Sequence, residues 1–475
     1  GGFVALVNTE DDRSLLTSSD GRAWDPFDAE IPPMLGLTRW DDGLVARGPR
    51  HVLVSKPGFW GGTDALEPDE SDSVQLTRAV DPDGPDDVGI FWRAVDLPDG
   101  VMISTASLDR PLVVTGERIW VLGQRDDRYT LMSSDDAVTW VELDLEAAGV
   151  PEDWLTGLQE TRDGTVNFQF SALLVPDGDD LVMVMSRYPV DNETIPPELI
   201  VVRSDGTDVE VWLPADLALG PWPGPDGGKD LRFGLPRSGA IHDGRIVLAG
   251  RSQWWLPFDT GDSSLLVTVI DPDRSVRFVA ENRPPLGGSG VQEPRLVIHD
   301  GERFLVLGDG LRPDGESSSQ LSVWASADGQ GWTGVRVFDF EVQSDRVDHL
   351  VQGPAGIVAS GSSRDFAGLG GENRPVVWWH SPDGDTWTWV VPDAAETGRF
   401  IQSTWVFGDR YHSIVDLTTV AVLLSSDDGT TWSRTATHVP SVSDVSAWGD
   451  GVVGRLGDRV LISAPGFTAG ELVSR

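Results

Sequence analysis

The run Ser425-Ser426-Asp427-Asp428-Gly429-Thr430-Thr431-Trp432 follows directly on the apolar stretch Val420-Ala421-Val422-Leu423-Leu424. A strand therefore runs into a serine, an aspartate two residues beyond, a glycine and a tryptophan. The physical reading is a tight connection between two antiparallel strands. Aspartate and serine side chains bond backbone N–H groups inside such a turn, and glycine supplies a positive φ without steric cost. The tryptophan buries a large ring where neighbouring sheets meet, and its indole N–H still needs a partner.

Working outward, the pattern recurs. It stands at Ser18-Ser19-Asp20-Gly21-Arg22-Ala23-Trp24, at Ser326-Ala327-Asp328-Gly329-Gln330-Gly331-Trp332 and at Ser381-Pro382-Asp383-Gly384-Asp385-Thr386-Trp387. A further copy from Ser133 to Trp140 has Ala137 in the glycine's place, and a degenerate one begins at Ser204-Asp205-Gly206 and ends at Trp212. One copy is an ordinary turn; repetition at this spacing is the signature of stacked repeats. On these residues the chain resembles the Asp-box, or bacterial neuraminidase repeat, family along nearly its whole length. The resemblance implies a β-propeller.

A second element repeats independently: apolar strand, tight turn, apolar strand. Its turns are Asp42-Gly43, Gly116-Glu117, Asp177-Gly178, Asp243-Gly244, Asp300-Gly301, Pro354-Ala355-Gly356, Gly408-Asp409 and Asp450-Gly451. The opening Gly1-Gly2 reads as a ninth whose preceding strand is missing. Residues 1–60 also match 409–468 at a constant offset, with Trp24, Trp40 and Pro57-Gly58-Phe59 falling on Trp432, Trp448 and Pro465-Gly466-Phe467. Short strands with turn signals and almost no helical periodicity give an all-β fold. The expectation is one propeller over residues 1–475, built of four-stranded antiparallel blades. Eight blades fit the turns best, with seven or nine open, and the C-terminal segment closes the ring onto the incomplete first blade.

Charge limits the partners. The 475 residues carry 36 basic and 76 acidic side chains, a net −40 spread along the chain. That field opposes phosphate backbones and anionic lipid, so nucleic acid is not expected as a partner. No apolar run is long enough for membrane insertion as a helix. Cysteine is absent, which excludes disulfides, thiolate metal ligands and a cysteine nucleophile. The opening Gly1-Gly2-Phe3-Val4-Ala5-Leu6-Val7 reads as a strand and not as a secretory leader.

Both kinds of tight turn fall on one face of a four-stranded blade, which makes the Asp-box residues structural. The opposite face collects the long connections, where function usually sits. These are Arg187 to Glu198, Arg251 to Ser264, Asp309 to Gln320 and Ser360 to Arg374, with crossings at Pro214 to Pro236 and Asn282 to Gln292. All belong to the fourth to seventh of the eight expected blades. There, Trp254-Trp255 with Asp259, and Trp222 nearby, read as candidate ligand-binding residues, since aromatic faces beside carboxylates hold sugars. The competing reading is that the rings pack the loops. At the channel mouth, superposing the turns at Gly301 and Gly356 brings Glu293 level with Asp348, and Arg295 shares a strand side with Glu293. Such a carboxylate pair is a candidate acid and base for a glycosidase, and the competing reading is a polar channel lining.

The resemblance also raises sialidase activity. Sialidases carry a Phe/Tyr-Arg-Ile-Pro motif, and its nearest match here, Phe233-Gly234-Leu235-Pro236-Arg237, has glycine where the arginine belongs. Of Tyr129, Tyr188 and Tyr411, only Tyr188 begins a loop on the loop-rich face. No catalytic residue is carried over. Asp81-Pro82-Asp83-Gly84-Pro85-Asp86 lacks calcium-loop spacing, and His242 and His299 occupy one repeat position beside a turn, so no metal or other cofactor is expected. The preferred reading is an exported, non-sialidase propeller binding a glycan or an extracellular protein. It places the chain outside the cell or in the envelope by resemblance alone. The alternatives are a glycoside hydrolase or lyase, and a structural scaffold.

Overall fold

The computed structural model describes residues 3–8, 13–18, 25–27, 36–40, 43–47, 52–54, 75–76, 92–95, 97–103, 111–126, 128–156, 168–189, 197–220, 235–251, 265–281, 292–310, 320–338, 347–361, 376–390, 392, 398–417, 421–437, 439–456 and 459–463. The chain forms two units, one of residues 1–77 with 92–94, the other of residues 78–91 with 95–475.

The second unit is a seven-bladed propeller. Blades A to F each run antiparallel through four strands from the innermost outward, and blade C adds an outermost strand, Ala218–Leu219, that pairs parallel with Ser275–Glu281. Their innermost strands are Leu112–Thr115, Phe168–Asp177, Leu235–His242, Gln292–His299, Val347–Gly353 and Gly398–Phe407. Blade G takes Ser443–Trp448, Gly451–Leu456 and Arg459–Ser463 from the C-terminal run.

Burial follows the two-residue period of a strand covered on both faces. In blade A, Ile119 and Val121 turn to one side and pack with Val453, Val460 and Ile462 of blade G, together with Val95. Trp120 and Leu122, one residue out of phase, turn to the other side and pack with Leu174, Met183 and Met185 of blade B. Leu173, Val175 and Val184 of blade B then meet Ile246 and Leu248 of blade C. Each such side chain removed from water contributes roughly 1.5–3 kcal/mol, so the ring is held by its blade-to-blade faces.

The eight-blade expectation is corrected to seven. Seven of the nine sequence turns close an innermost hairpin of this ring. The other two belong to the first unit, whose strands form two three-stranded sheets, Phe3–Asn8 with Arg13–Ser18 and Asp25–Phe27, and Gly36–Trp40 with Gly43–Arg47 and Val52–Val54. These sheets repeat part of blades F and G in register. Phe3 faces Ser18 and Leu6 faces Leu15, as Tyr411 faces Ser426 and Ile414 faces Leu423. Val45 faces Val54 as Val453 faces Ile462. Counting turns therefore counted a duplicated blade and a half.

The turns between third and fourth strands show why the opening motif is what it is. Asp428 accepts the N–H groups of Thr430 and Thr431 at 2.8 and 2.6 Å, and Ser426 Oγ donates to it at 3.0 Å. Trp432 Nε1 donates to the Gly429 carbonyl at 3.2 Å. The same bonds recur at Asp328 with Trp332 and at Asp383 with Trp387. Gly429 has φ +72°, and a Cβ there would lie 2.6 Å from His380 Cδ2 in blade E. The turn thus needs glycine twice, for its conformation and for the approach of the neighbouring blade. Tyr411 is consumed the same way, its hydroxyl donating to the Gly356 carbonyl and accepting from Ala355 N–H. Tyr129 stacks on Phe170 in the core between blades A and B.

Candidate functional site

All seven innermost strands of the ring contribute to one cavity of about 770 Å³. That falls within the range of small-molecule sites, about 300–1,000 Å³.

Its lining is set by irregularities in those strands. In blade C the ladder slips one residue between Pro236 and Ser238, leaving Arg237 as the extra residue. Blade D slips between Pro294 and Leu296, at Arg295, and blade E between Val347 and His349, at Asp348. Blade F slips at Gln402, between Ile401 and Ser403, and blade G at Asp444 and Val445, between Ser443 and Ser446. A bulge leaves one residue outside the ladder and re-aims it. Arg237, Arg295, Asp348, Gln402 and Asp444 all line the cavity. Bulging in five consecutive blades thus sets polar side chains around the lumen without opening the apolar faces behind them.

The level of these residues is regular. Arg237, Arg295, Asp348 and Gln402 each lie five residues before the last paired residue ahead of the turn, which is His242, Asp300, Gly353 and Phe407. Asp348 therefore stands level with Arg295, not with Glu293. The difference from sequence superposition arises because the turn glycine is the first loop residue in blade D and the first residue beyond the loop in blade E. The structure brings Arg295 and Asp348 to the same lining. Glu293 lies in the blade D strand facing Asp309, and its side chain is outside the described residues. Trp222, Trp254, Trp255 and Asp259 also lie outside them. So do Asp81 to Asp86 and the side chain of Tyr188.

Cross-blade bonds hold the lumen wall rigid. Ser238 Oγ accepts Val297 N–H at 3.0 Å and donates to the Val297 carbonyl at 3.3 Å, tying blade C to D. The His349 ring bonds the Ile401 carbonyl at 3.1 Å, tying E to F, and Ser403 Oγ accepts Val445 N–H at 3.1 Å, tying F to G. Asp444, held at φ +54°, accepts from Arg455 Nε at 2.7 Å in a pair that is largely buried. Among the described residues the lining carries Arg237, Arg295 and Arg455 against Asp348 and Asp444. This local excess of cation contrasts with the chain's net −40. Among the described residues, no group of three or more His, Cys, Asp or Glu is placed to hold a metal ion.

No family model matches the chain, and no curated protein matches it. Solved structures do. The chain is similar to virginiamycin B lyase from Staphylococcus aureus, at 9% identity over 79% of this chain and 98% of that one, with a TM-score of 0.44. It is also similar to the α-L-arabinofuranosidase Arb93A from Fusarium graminearum, at 16% identity over 65% of this chain and 95% of that one, with a TM-score of 0.36. The Penicillium chrysogenum α-L-arabinanase complexed with arabinobiose is 14% identical over 64% and 94% of the two chains, with a TM-score of 0.36.

Sequence reading missed Arg237, Phe400, Gln402 and the Asp444–Arg455 pair as site residues. A signal existed. Pro236-Arg237 and Pro294-Arg295 repeat at one repeat position, and proline inside a strand marks a bulge or edge. Behind the wall, the Trp405 ring lines the cavity and stacks on the His412 imidazole at 5.5 Å. Burial, followed by the nearby Arg410 charge, pushes His412 down to about 4.

Proposed function

We propose that the ring is a non-sialidase Asp-box propeller that binds a glycan, taking one or a few sugar units into its central channel. The observation that carries this reading is the set of bulged polar residues, Arg237, Arg295, Asp348, Gln402 and Asp444, around one small-molecule-sized cavity. A wall of fixed donors and acceptors suits a ligand covered with hydroxyl groups, because each buried polar group then finds a partner. Kinship with the Asp-box family is supported by the serine–aspartate–tryptophan bonds of the turns. Export from the cell belongs to the same reading and rests on that kinship alone.

A hydrolytic reading has one observation in its favour, that Asp348 lines the same cavity as Arg295 of blade D. Glycoside hydrolysis ordinarily needs two carboxylates. The other described carboxylate in the lining, Asp444, is bonded to Arg455, which favours binding over hydrolysis. Calorimetric titration with soluble oligosaccharides, sialylated glycans included, tests the proposal. Arg295→Ala is expected to weaken binding by about tenfold or more, equal to 1.4 kcal/mol. Equal affinity in the variant would remove the channel from consideration. Reducing-sugar release that disappears in Glu293→Ala would replace the binding reading with the hydrolase.

A further inference from the structure

The strand Gly398–Phe407 is the only one of the described innermost strands that slips twice, at Arg399 and again at Gln402. Between the slips, Phe400 and Ile401 are neighbours and so face opposite ways. Ile401 is 5% exposed, in the core shared with Val358 and Trp378 of blade E. Phe400 is left on the lumen side, 55% exposed, in a wall of mixed polar and apolar groups. A large apolar ring held in water forgoes the favourable free energy of burial, roughly 25 cal/mol per Å². The blade spends an extra bulge to keep it there.

Two residues on, Gln402 has a fixed orientation. Its Nε2 donates to Asp416 Oδ2, and the other oxygen of that carboxylate accepts from Ser441 Oγ at 2.7 Å. A carboxylate only accepts, so the amide cannot turn round without losing the bond. The amide nitrogen is therefore engaged on the wall side, and the amide oxygen is the group Gln402 offers to a ligand.

From this juxtaposition we infer that Phe400 and Gln402 form one sugar subsite, in which Phe400 stacks on the C–H face of a pyranose ring and the Gln402 amide oxygen accepts a hydrogen bond from one of its hydroxyls. The inference rests on the channel reading and names how a ring is held there. An aromatic face covers the apolar side of the sugar, while the amide oxygen, which only accepts, pairs with O–H and not with a carbonyl or carboxylate. Ligands without a donor hydroxyl at that place, or with an anionic group there, are rejected because the amide oxygen then has no partner or meets a like partial charge.

The test is titration of the full chain with methyl hexopyranosides and the corresponding disaccharides, read by saturation-transfer difference and by the chemical shifts of the bound sugar. Upfield ring-current shifts are expected on the C–H protons of one face. Phe400→Leu should abolish those shifts and weaken binding by about tenfold, and Phe400→Trp should restore both. Gln402→Met should weaken binding for the parent sugar and leave the matching deoxy sugar's affinity unchanged. Shifts and affinity that persist in Phe400→Leu, while Arg295→Ala still loses binding, would overturn this subsite and leave the channel reading intact. No binding by any of the sugars, or binding indifferent to Arg295→Ala and Phe400→Leu alike, would overturn both.

Discussion

At the scale of single residues, the serine–aspartate–tryptophan turns behave as anchors. Trp432 is 8% exposed, lies 5.2 Å from Trp378 of blade E and bonds back to Gly429. Trp432→Ala is expected to cost about 3–5 kcal/mol through the cavity left between blades E and F. Chemical denaturation checks this, and affinity for any channel ligand should not change in the variant. His412 makes a second residue-scale prediction. It is buried neutral, bonded to Ser425 Oγ at 2.9 Å, with its proton affinity lowered to about 4 from the ordinary 6.5. Its contribution is complete above pH 6.5, falls as the unfolded chain takes up a proton between pH 6.5 and 4, and is flat below 4. The loss is on the order of 3 kcal/mol, at 1.36 kcal/mol per unit. Burial, and then the charge of His242, also lower His299, which adds in the same direction. Urea midpoints at pH 7 and 5 should separate more in the native chain than in His412→Gln; equal separation would count against the assignment. Further acid reaches the turn carboxylates. Asp136 and Asp205 are held down to about 2 by backbone N–H and, at Asp205, threonine hydroxyl bonds, so their contribution persists above 3.8 and is lost as pH falls through 2.

At the scale of elements, the site depends on strands that are regular at the turn and irregular five residues before it. The bulges re-aim Arg237, Arg295, Asp348 and Gln402 into the lumen, and the cross-blade bonds stop the strands from sliding back. Ser238 is the clearest of these ties, since its buried hydroxyl both accepts from Val297 N–H and donates to Val297 C=O. Ser238→Ala leaves a buried N–H without its partner and is expected to cost about 1–3 kcal/mol. Hydrogen exchange at Val297 measures it directly: the amide should lose protection in the variant while amides of blade F keep theirs. The hairpin turns were legible in advance because proline, glycine and aspartate act through local backbone geometry. Bulges were legible at most where proline marks them, at Pro236 and Pro294; at the slips of blades E to G no such residue stands, and an extra residue shows only against the partner strand. The level of the carboxylates was missed for another reason: Gly301 and Gly356 hold different places in their loops, so superposing them matched Glu293 to Asp348, whereas counting from the hairpin ends sets Arg295 level with it.

At the scale of the whole molecule, charge opposes compactness. A net −40 on 475 residues repels itself, and salt screens that repulsion, with a Debye length of about 10 Å at 0.1 M and about 3 Å at 1 M. Thermal stability is expected to rise between 0.05 and 1 M sodium chloride, as followed by calorimetry. A midpoint that falls with salt would mean that surface ion pairs such as Arg118–Asp135 outweigh the repulsion. The excess of arginine over aspartate in the lumen, opposite in sign to the surface, would make ligand affinity fall with salt if the ligand were anionic and stay level if neutral.

The sequence by itself determined the all-β propeller, the repeat that builds it, the tight-turn face and the duplication of residues 1–60 in 409–468. Each of these depends on spacing and local conformation, which a chain carries along its length. Only the tertiary structure decided that the ring has seven blades and that two of the nine turns belong to another unit. It alone brought Arg237, Arg295, Asp348, Phe400 and Gln402 to one cavity. These residues lie on four different strands, and what aims them inward is the slip of each strand against its neighbour, a relation between strands and not a property of any one.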